Sequence, residues 1–129
     1  MSEASKVAAG TICWHDLTVN DAEPIRDFYQ EVVGWTSEPV DMGGYEDFSM
    51  MTPAGDAGVA GVCHARGSNA DLPPQWLVYI VVDDVEHSAA RCAELGGTII
   101  AGVRPLAGGR FCVIRDPAGA VCALYEPSG

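Results

Sequence analysis

Asp16 stands in a β-rich run, Thr11-Ile12-Cys13-Trp14-His15-Asp16-Leu17-Thr18-Val19, whose other members are mostly apolar. A carboxylate in such a strand needs a partner, because an unpaired buried charge is costly. It could pair with a cationic or hydroxylated ligand. It could also serve as a general base, since burial raises a carboxyl pKa toward a useful range. The metal-type donors are His15, His64 and His87. Cys13, Cys63, Cys92, Cys112 and Cys122 form an odd set without C-x-x-C spacing, which argues against a zinc site or a disulfide framework and suits a reducing cytoplasm. All five lie in periodic apolar segments, where a free Cys behaves as a small hydrophobe. Cys63 has no His on its own strand face to make it a nucleophile. The only lysine, Lys6, is in the N-terminal tail, so Schiff-base chemistry is not expected.

These groups sit in a chain of 129 residues, the size of one ordinary domain. Hydrophobic residues make up 48%, which rules out disorder. Seven Lys and Arg against eighteen Asp and Glu give a net charge of −11. Such a chain repels phosphate backbones and anionic membranes, so nucleic acid is a poor partner. Solubility accounts for that charge; an acidic cleft drawing in a cationic small molecule is the other reading. The longest apolar run, residues 76–82, is far short of the roughly 18 residues of a membrane span. No signal peptide is expected, because the N-terminus has no long apolar core.

The spacing predicts the elements that position these residues. After the first strand, Asp21 is a candidate N-cap and Pro24 sits in the first helical turn. Ile25, Phe28, Tyr29, Val32 and Val33 recur at i, i+3, i+4, i+7 and i+8 as one apolar stripe, and Gly34 ends the helix. Strands are predicted over 36–40, 45–51 and 59–65, punctuated by Gly43-Gly44 and Pro53-Ala54-Gly55. A polar connection over 67–74 follows. The pattern then restarts with a buried strand over 76–82, a helix capped by Asp84 and running to Gly96-Gly97, and strands over 98–103, 110–115 and 120–125.

The restart is an internal repeat. Val19 and Val82, Asp21 and Asp84, Glu23 and Glu86, and Gly34 and Gly97 share one offset of 63 positions, and Pro53-Ala54-Gly55 matches Pro117-Ala118-Gly119 at 64. Each half reads β-α-β-β-β. Neither is large enough to bury its sheet alone, so the expected organisation is a single domain over 1–129, with module one at about 11–66 and module two at about 75–127.

A tandem β-α-β-β-β pair resembles the vicinal oxygen chelate superfamily, which includes glyoxalase I, bleomycin resistance proteins and extradiol dioxygenases. The residues carrying the resemblance are Asp21-x(6)-Phe28-Tyr29-x(4)-Gly34-Trp35, Val82-Asp83-Asp84-Val85 with Gly96-Gly97, and Gly109-Arg110-Phe111 leading to Asp116-Pro117-Ala118-Gly119-Ala120. They are specific for the fold but not for function, because the family hosts isomerases, oxygenases, transferases and non-catalytic drug binders. The resemblance implies an α+β fold whose paired modules form a half-open, barrel-like cavity. It also implies a homodimer, since a second subunit often completes that cavity.

In metal-dependent members four His, Gln or Glu ligands project into the cavity from the first and last strand of each module. Carried onto this chain, those positions are Trp14, Gly61, Leu77 and Ala123. None can coordinate a divalent cation through its side chain, so no metal and no cofactor is expected. Strand alternation turns His15 and His64 to the opposite face.

Alternation from the same four positions predicts the other cavity-facing residues. Trp14 brings Asp16, Gly61 brings Cys63, Leu77 brings Tyr79, and Ala123 brings Tyr125. A four-residue hairpin loop over 116–119 would set Cys112 opposite Ala123 and Arg110 opposite Tyr125. The repeat then offers Glu46, Phe48 and Met50 as the counterparts in module one. The resulting aromatic lining suits a small-molecule site. Asp16 and Glu46 would meet a cationic or hydroxylated ligand, and Arg110 a carboxylate. The expected function is therefore metal-independent binding of an aromatic or cationic compound. The alternatives are a metal-free isomerase or lyase with a carboxylate base, or a metal-dependent lyase or dioxygenase with shifted ligands from His15, His64, Glu46 or Glu126.

Overall fold

A helix over an amphipathic strand set needs an apolar floor, and in the first half of the chain Phe48, Met50, Ala60 and Val62 provide it. The computed structural model describes residues 7–128, so Lys6 lies outside the described residues. The chain divides into two compact units, one spanning Trp14–Trp76 and the other comprising Leu77–Gly129 with the residues up to Cys13.

In the Trp14–Trp76 unit, β1 (Ile12–Val19) leads into α1 (Ala22–Val33), followed by β2 (Thr36–Asp41), β3 (Glu46–Met51) and β4 (Gly58–His64). The strands lie in the order β2-β3-β4-β1. β1 runs parallel to β4 with Asp16 opposite Gly61 and Thr18 opposite Cys63, while β3 is antiparallel to both β2 and β4. Asp21 holds the N-cap position in an extended conformation, but its side chain makes no capping bond. Gly34 ends the helix with φ 87°, a left-handed conformation that suits glycine, and its N–H donates to the Gln30 carbonyl.

The core of this unit is Ala22, Phe48, Met50, Ala60 and Val62, with Val19, Ile25, Tyr29 and Trp35 packed against it. Ile25 and Tyr29 therefore reach the sheet as the periodicity predicts. Phe28, Val32 and Val33 do not: they belong to the same stripe and remain exposed. The stripe is wider than the strand surface the helix covers, so only one edge of it is buried.

Phe48 and Met50 also correct an expectation, because they face α1 instead of the cavity side. A one-residue difference in register exchanges the two faces of a strand, and burying Phe48 and Met50 under the helix decides it. Asp47, Ser49 and Met51 take the opposite face, and Glu46 is exposed where β3 begins, opposite Asp41.

In the second unit, β5 (Trp76–Val81) is followed by α2 (Val85–Glu94), β6 (Thr98–Leu106), β7 (Gly109–Arg115) and β8 (Val121–Glu126), with the strands in the order β5-β8-β7-β6. β5 is parallel to β8, with Tyr79 opposite Ala123. Backbone bonds Gly10 N–H to Val81 O and Val81 N–H to Thr11 O join the early chain to β5. Asp84 caps α2 by accepting from His87 N–H at 3.1 Å. Val85, Cys112 and Leu124 form the core, with Ile80, Val82, Ala89, Val103 and Ile114 around them.

The β7–β8 turn overturns the predicted facing of Arg110 and Cys112. Arg115 pairs with Val121, so the loop contains five residues, 116–120, closed by Asp116 N–H to Ala120 O at 2.7 Å. The Asp116 carboxylate also accepts from Ala118 N–H and Ala120 N–H. The added residue shifts the ladder by one. Val113, not Cys112, lies opposite Ala123, and Phe111, not Arg110, lies opposite Tyr125. Cys112 packs in the core under α2, and Arg110 lies on the same side.

Candidate ligand-binding face

The sheet face opposite α1 gathers the polar chemistry of the Trp14–Trp76 unit. Trp14 and Asp16 are two residues apart on β1 and so share a face. The Trp14 indole N–H donates to Asp16 Oδ1 at 2.6 Å. Gly61 lies beside Asp16 in the parallel ladder, and a Cβ there would collide with the Asp16 carboxylate and approach Cys63 Sγ. Glycine at 61 is thus what lets the carboxylate lie down against β4. At Gly58 a Cβ would meet Ser49 Oγ, Met51 Sδ and the Trp14 ring. Trp14, Asp16, Ser49, Met51 and Cys63 therefore form one continuous surface over two glycine floors.

Asp47 extends this surface, although the repeat-based register of β3 turns it to the other face. Its buried carboxylate accepts from the His64 backbone N–H at 2.8 Å and lies 3.4 Å from His64 Nδ1. The signal was available: an amphipathic strand should send Phe48 and Met50 toward the helix, leaving Asp47 and Ser49 on the other face. Burial pushes the Cys63 thiol far above its ordinary pKa, and the neighbouring Asp16 and Asp47 carboxylates push it further. Cys63 is a neutral thiol here, not a nucleophile.

In the second unit, Leu77, Tyr79, Ala123 and Tyr125 fall on one face with Phe111. Leu77 and Ala123 have no exposed surface, and Tyr79 is buried with its ring stacked on Phe111 at a centroid distance of 6.1 Å. Tyr125 O–H donates to the Ala107 carbonyl at 3.1 Å. Arg110 is committed on the α2 side. It bonds Glu86 at 2.7 Å and Glu126 at 2.8 Å, while Glu126 accepts from Val85 N–H at the start of α2. That network ties β7 and β8 to the helix N-terminus, where a carboxylate also opposes the positive end of the dipole.

The residues present do not fit the four-ligand metal centre of the metal-dependent relatives. Gly61, Leu77 and Ala123 offer no donor atom, and the Trp14 N–H is engaged by Asp16. His15 points away from Asp16 into an apolar hollow, and His64 is held against Asp47. Among the described residues no three His, Cys, Asp or Glu side chains are grouped to hold an ion.

Trp76 lines two apolar hollows that the sequence did not reveal. One, of about 330 Å³, lies between α1 and residues 74–76 and is lined by Leu17, Ile25, Phe28, Tyr29 and Pro74. The other, of about 360 Å³, is lined by His15, Trp35, Val59 and Ala60. The β-bulge between Met50 and Met51 interrupts the β3–β4 ladder next to Val59. The Trp76 indole N–H donates to Tyr29 O–H at 3.1 Å, and Tyr29, Trp35 and Trp76 pack together with ring centroids 5.4 to 6.0 Å apart.

Comparison with known proteins agrees with this topology. The protein named "Putative glyoxylase CFP32" of Mycobacterium tuberculosis is 32% identical over 120 residues, which is 92% of this chain and 45% of that protein. The anthracycline biosynthesis protein DnrV of Streptomyces peucetius is 31% identical over 138 residues, covering 95% of this chain and 49% of the relative. The chain thus spans about half the length of these curated relatives. The crystal structure of hypothetical protein BH1468 from Bacillus halodurans superposes with a TM-score of 0.59 at 14% identity, covering 95% of this chain and 97% of that one, a likeness of fold. The sequence model of the Glyoxalase/Bleomycin resistance protein/Dioxygenase superfamily matches residues 11–124, and the chain belongs to that superfamily.

Proposed function

We propose that this chain is a metal-independent small-molecule binding protein of its superfamily, taking an aromatic compound that carries a cationic or hydroxyl group. The observation that carries the reading is the Asp16 carboxylate, positioned by the Trp14 indole N–H over Gly61 on a face where the described residues group no three donors to hold a metal ion. An aromatic wall beside an oriented carboxylate suits a ring with an attached amine. The net charge of −11 favours the approach of such a cation. The name of DnrV points toward planar polycyclic ligands, which makes an anthracycline a sensible first probe. Nucleic acid and membrane remain poor partners for this charge, and among the described residues no helix is long and apolar enough to cross a membrane. Five free cysteines suit a reducing, cytoplasmic setting. The two units are taken as modules of one domain, and the protein is taken as a homodimer because members of its superfamily often dimerise.

The second reading, a metal-free isomerase or lyase, rests on the same carboxylate acting as a base. Isothermal titration with an anthracycline and a panel of aromatic amines tests both. Binding that weakens at least about tenfold in Asp16→Asn supports the first reading, because a charge-assisted contact has been lost. No binding across the panel, together with Asp16-dependent turnover of a carbonyl substrate, would replace it with the second.

A further inference from the structure

The row of the sheet that holds Asp16 crosses three strands, from Asp16 on β1 through Gly61 on β4 to Ser49 on β3. Gly61 has no side chain, and the Asp16 carboxylate lies in the space that one would fill. The carboxylate therefore stands one strand spacing, roughly 5 Å, from the Ser49 side chain. The Trp14 ring connects the two. Its N–H edge donates to Asp16 Oδ1. Its far edge reaches Gly58, where a Cβ would stand 3.9 Å from Trp14 Cη2 and 3.3 Å from Ser49 Oγ.

Ser49 holds a polar group in weak company. Its half-buried hydroxyl bonds, among the described residues, the Met51 thioether sulfur at 3.8 Å. A thioether is a weak acceptor, so the hydroxyl gains by exchanging it for an oxygen. The neighbouring row has no such capacity. Thr18 is buried, Cys63 is a neutral thiol, and the Asp47 carboxylate is engaged by His64. Polar recognition on this face is thus concentrated in the row of Asp16 and Ser49.

We propose that Ser49 is a specificity-determining residue and that this face takes an aryl amino alcohol, with the ammonium on Asp16, a hydroxyl two carbons away on Ser49, and the ring against Trp14. The inference rests on the proposed binding of an aromatic amine and adds a second polar contact to it. The short carbon bridge follows from the spacing, since the two anchors are one strand apart. An amine without the hydroxyl leaves Ser49 bonded to sulfur and gives up that contact.

NMR titration of the whole 129-residue chain with phenethylamine and with each enantiomer of phenylethanolamine tests the proposal. The two compounds differ by the hydroxyl alone. The better enantiomer should bind wild type about fivefold tighter than phenethylamine, the worth of a neutral hydrogen bond. In Ser49→Ala that ratio should fall to about one, while Asp16→Asn should weaken both compounds at least about tenfold. A wild type that binds both alike overturns the Ser49 assignment alone, as does a preference that survives in Ser49→Ala. Binding of neither compound overturns it too, and takes the aromatic-amine reading with it when the anthracycline and the wider amine panel are also silent.

Discussion

The indole N–H of Trp14 donates to the carboxylate of Asp16 across one intervening residue of β1, at 2.6 Å, and the carboxylate lies against the bare backbone of Gly61 on the neighbouring strand. Three positions on two strands therefore act as one unit. The donor fixes the acid, and the missing side chain makes room for it.

Gly61→Ala should destabilise the fold by about 1 to 3 kcal/mol, because the added methyl meets the Asp16 carboxylate in an otherwise packed sheet. If that collision is the cause, Asp16→Ala should remove most of the cost. Urea denaturation of both single variants and the double variant gives the coupling directly. Additive effects would show that Gly61 is needed for another reason.

Glu126 links acid stability to the α2 N-terminus. The Val85 N–H and the Arg110 guanidinium hold its carboxyl below the ordinary carboxylate range. A carboxyl depressed in the folded state contributes stability that is present above its unfolded pKa, about 4.3, and is lost as pH falls through the folded value. Wild type should therefore lose stability between about pH 5 and pH 3, with Glu126→Gln losing less over that interval. Thermal melts across the range check this, and parallel curves for the two proteins would remove Glu126 from the role.

The two internal thiols differ in cause but share an outcome. Burial pushes Cys112 up to about 11, and burial with two adjacent carboxylates pushes Cys63 higher. At pH 8 the thiolate fraction of Cys112 should be roughly a hundredfold below that of an ordinary free thiol, so alkylation should be slowed at least that much. Iodoacetamide labelling followed by peptide mapping measures it. Rapid labelling of Cys63 in folded protein would contradict the packing described for its face.

The elements were legible because their punctuation is local. Gly34, Asp84 and the paired Pro-Ala-Gly turns mark boundaries without reference to anything distant. Facing was legible only where the strand had no ambiguity. In β1 and β4 the resemblance supplied Trp14 and Gly61 as starting positions, and alternation from them placed Asp16 and Cys63 on the same face. In β7 the facing depended on whether the turn after Arg115 held four residues or five, and the Asp116 carboxylate stabilises the longer loop with two backbone bonds that no residue count reveals. The repeat then carried the slip from Arg110 and Cys112 to Glu46, Phe48 and Met50. Reading β3 by its own amphipathicity would have exposed Asp47. The hollow between α1 and Trp76 was not legible at all, since it depends on how much of the α1 stripe the sheet covers.

Metal content bears on every functional reading. Gly61, Leu77 and Ala123 bring only carbon or backbone to positions where metal-dependent relatives place donors, and the described residues supply no alternative group of three. A first-row divalent ion generally needs at least three protein ligands to be retained against dialysis. Tag-free protein incubated with Ni, Zn, Mn or Fe(II) and then dialysed should hold below about a tenth of an equivalent by plasma mass spectrometry. Thermal stability should not rise with added metal either, because an ion that binds only the folded state must raise the melting temperature. A stoichiometric ion that survives dialysis and stabilises the fold would mean that a second copy contributes ligands, and variants at His15, His64 and Asp47 would then identify which side chains hold it.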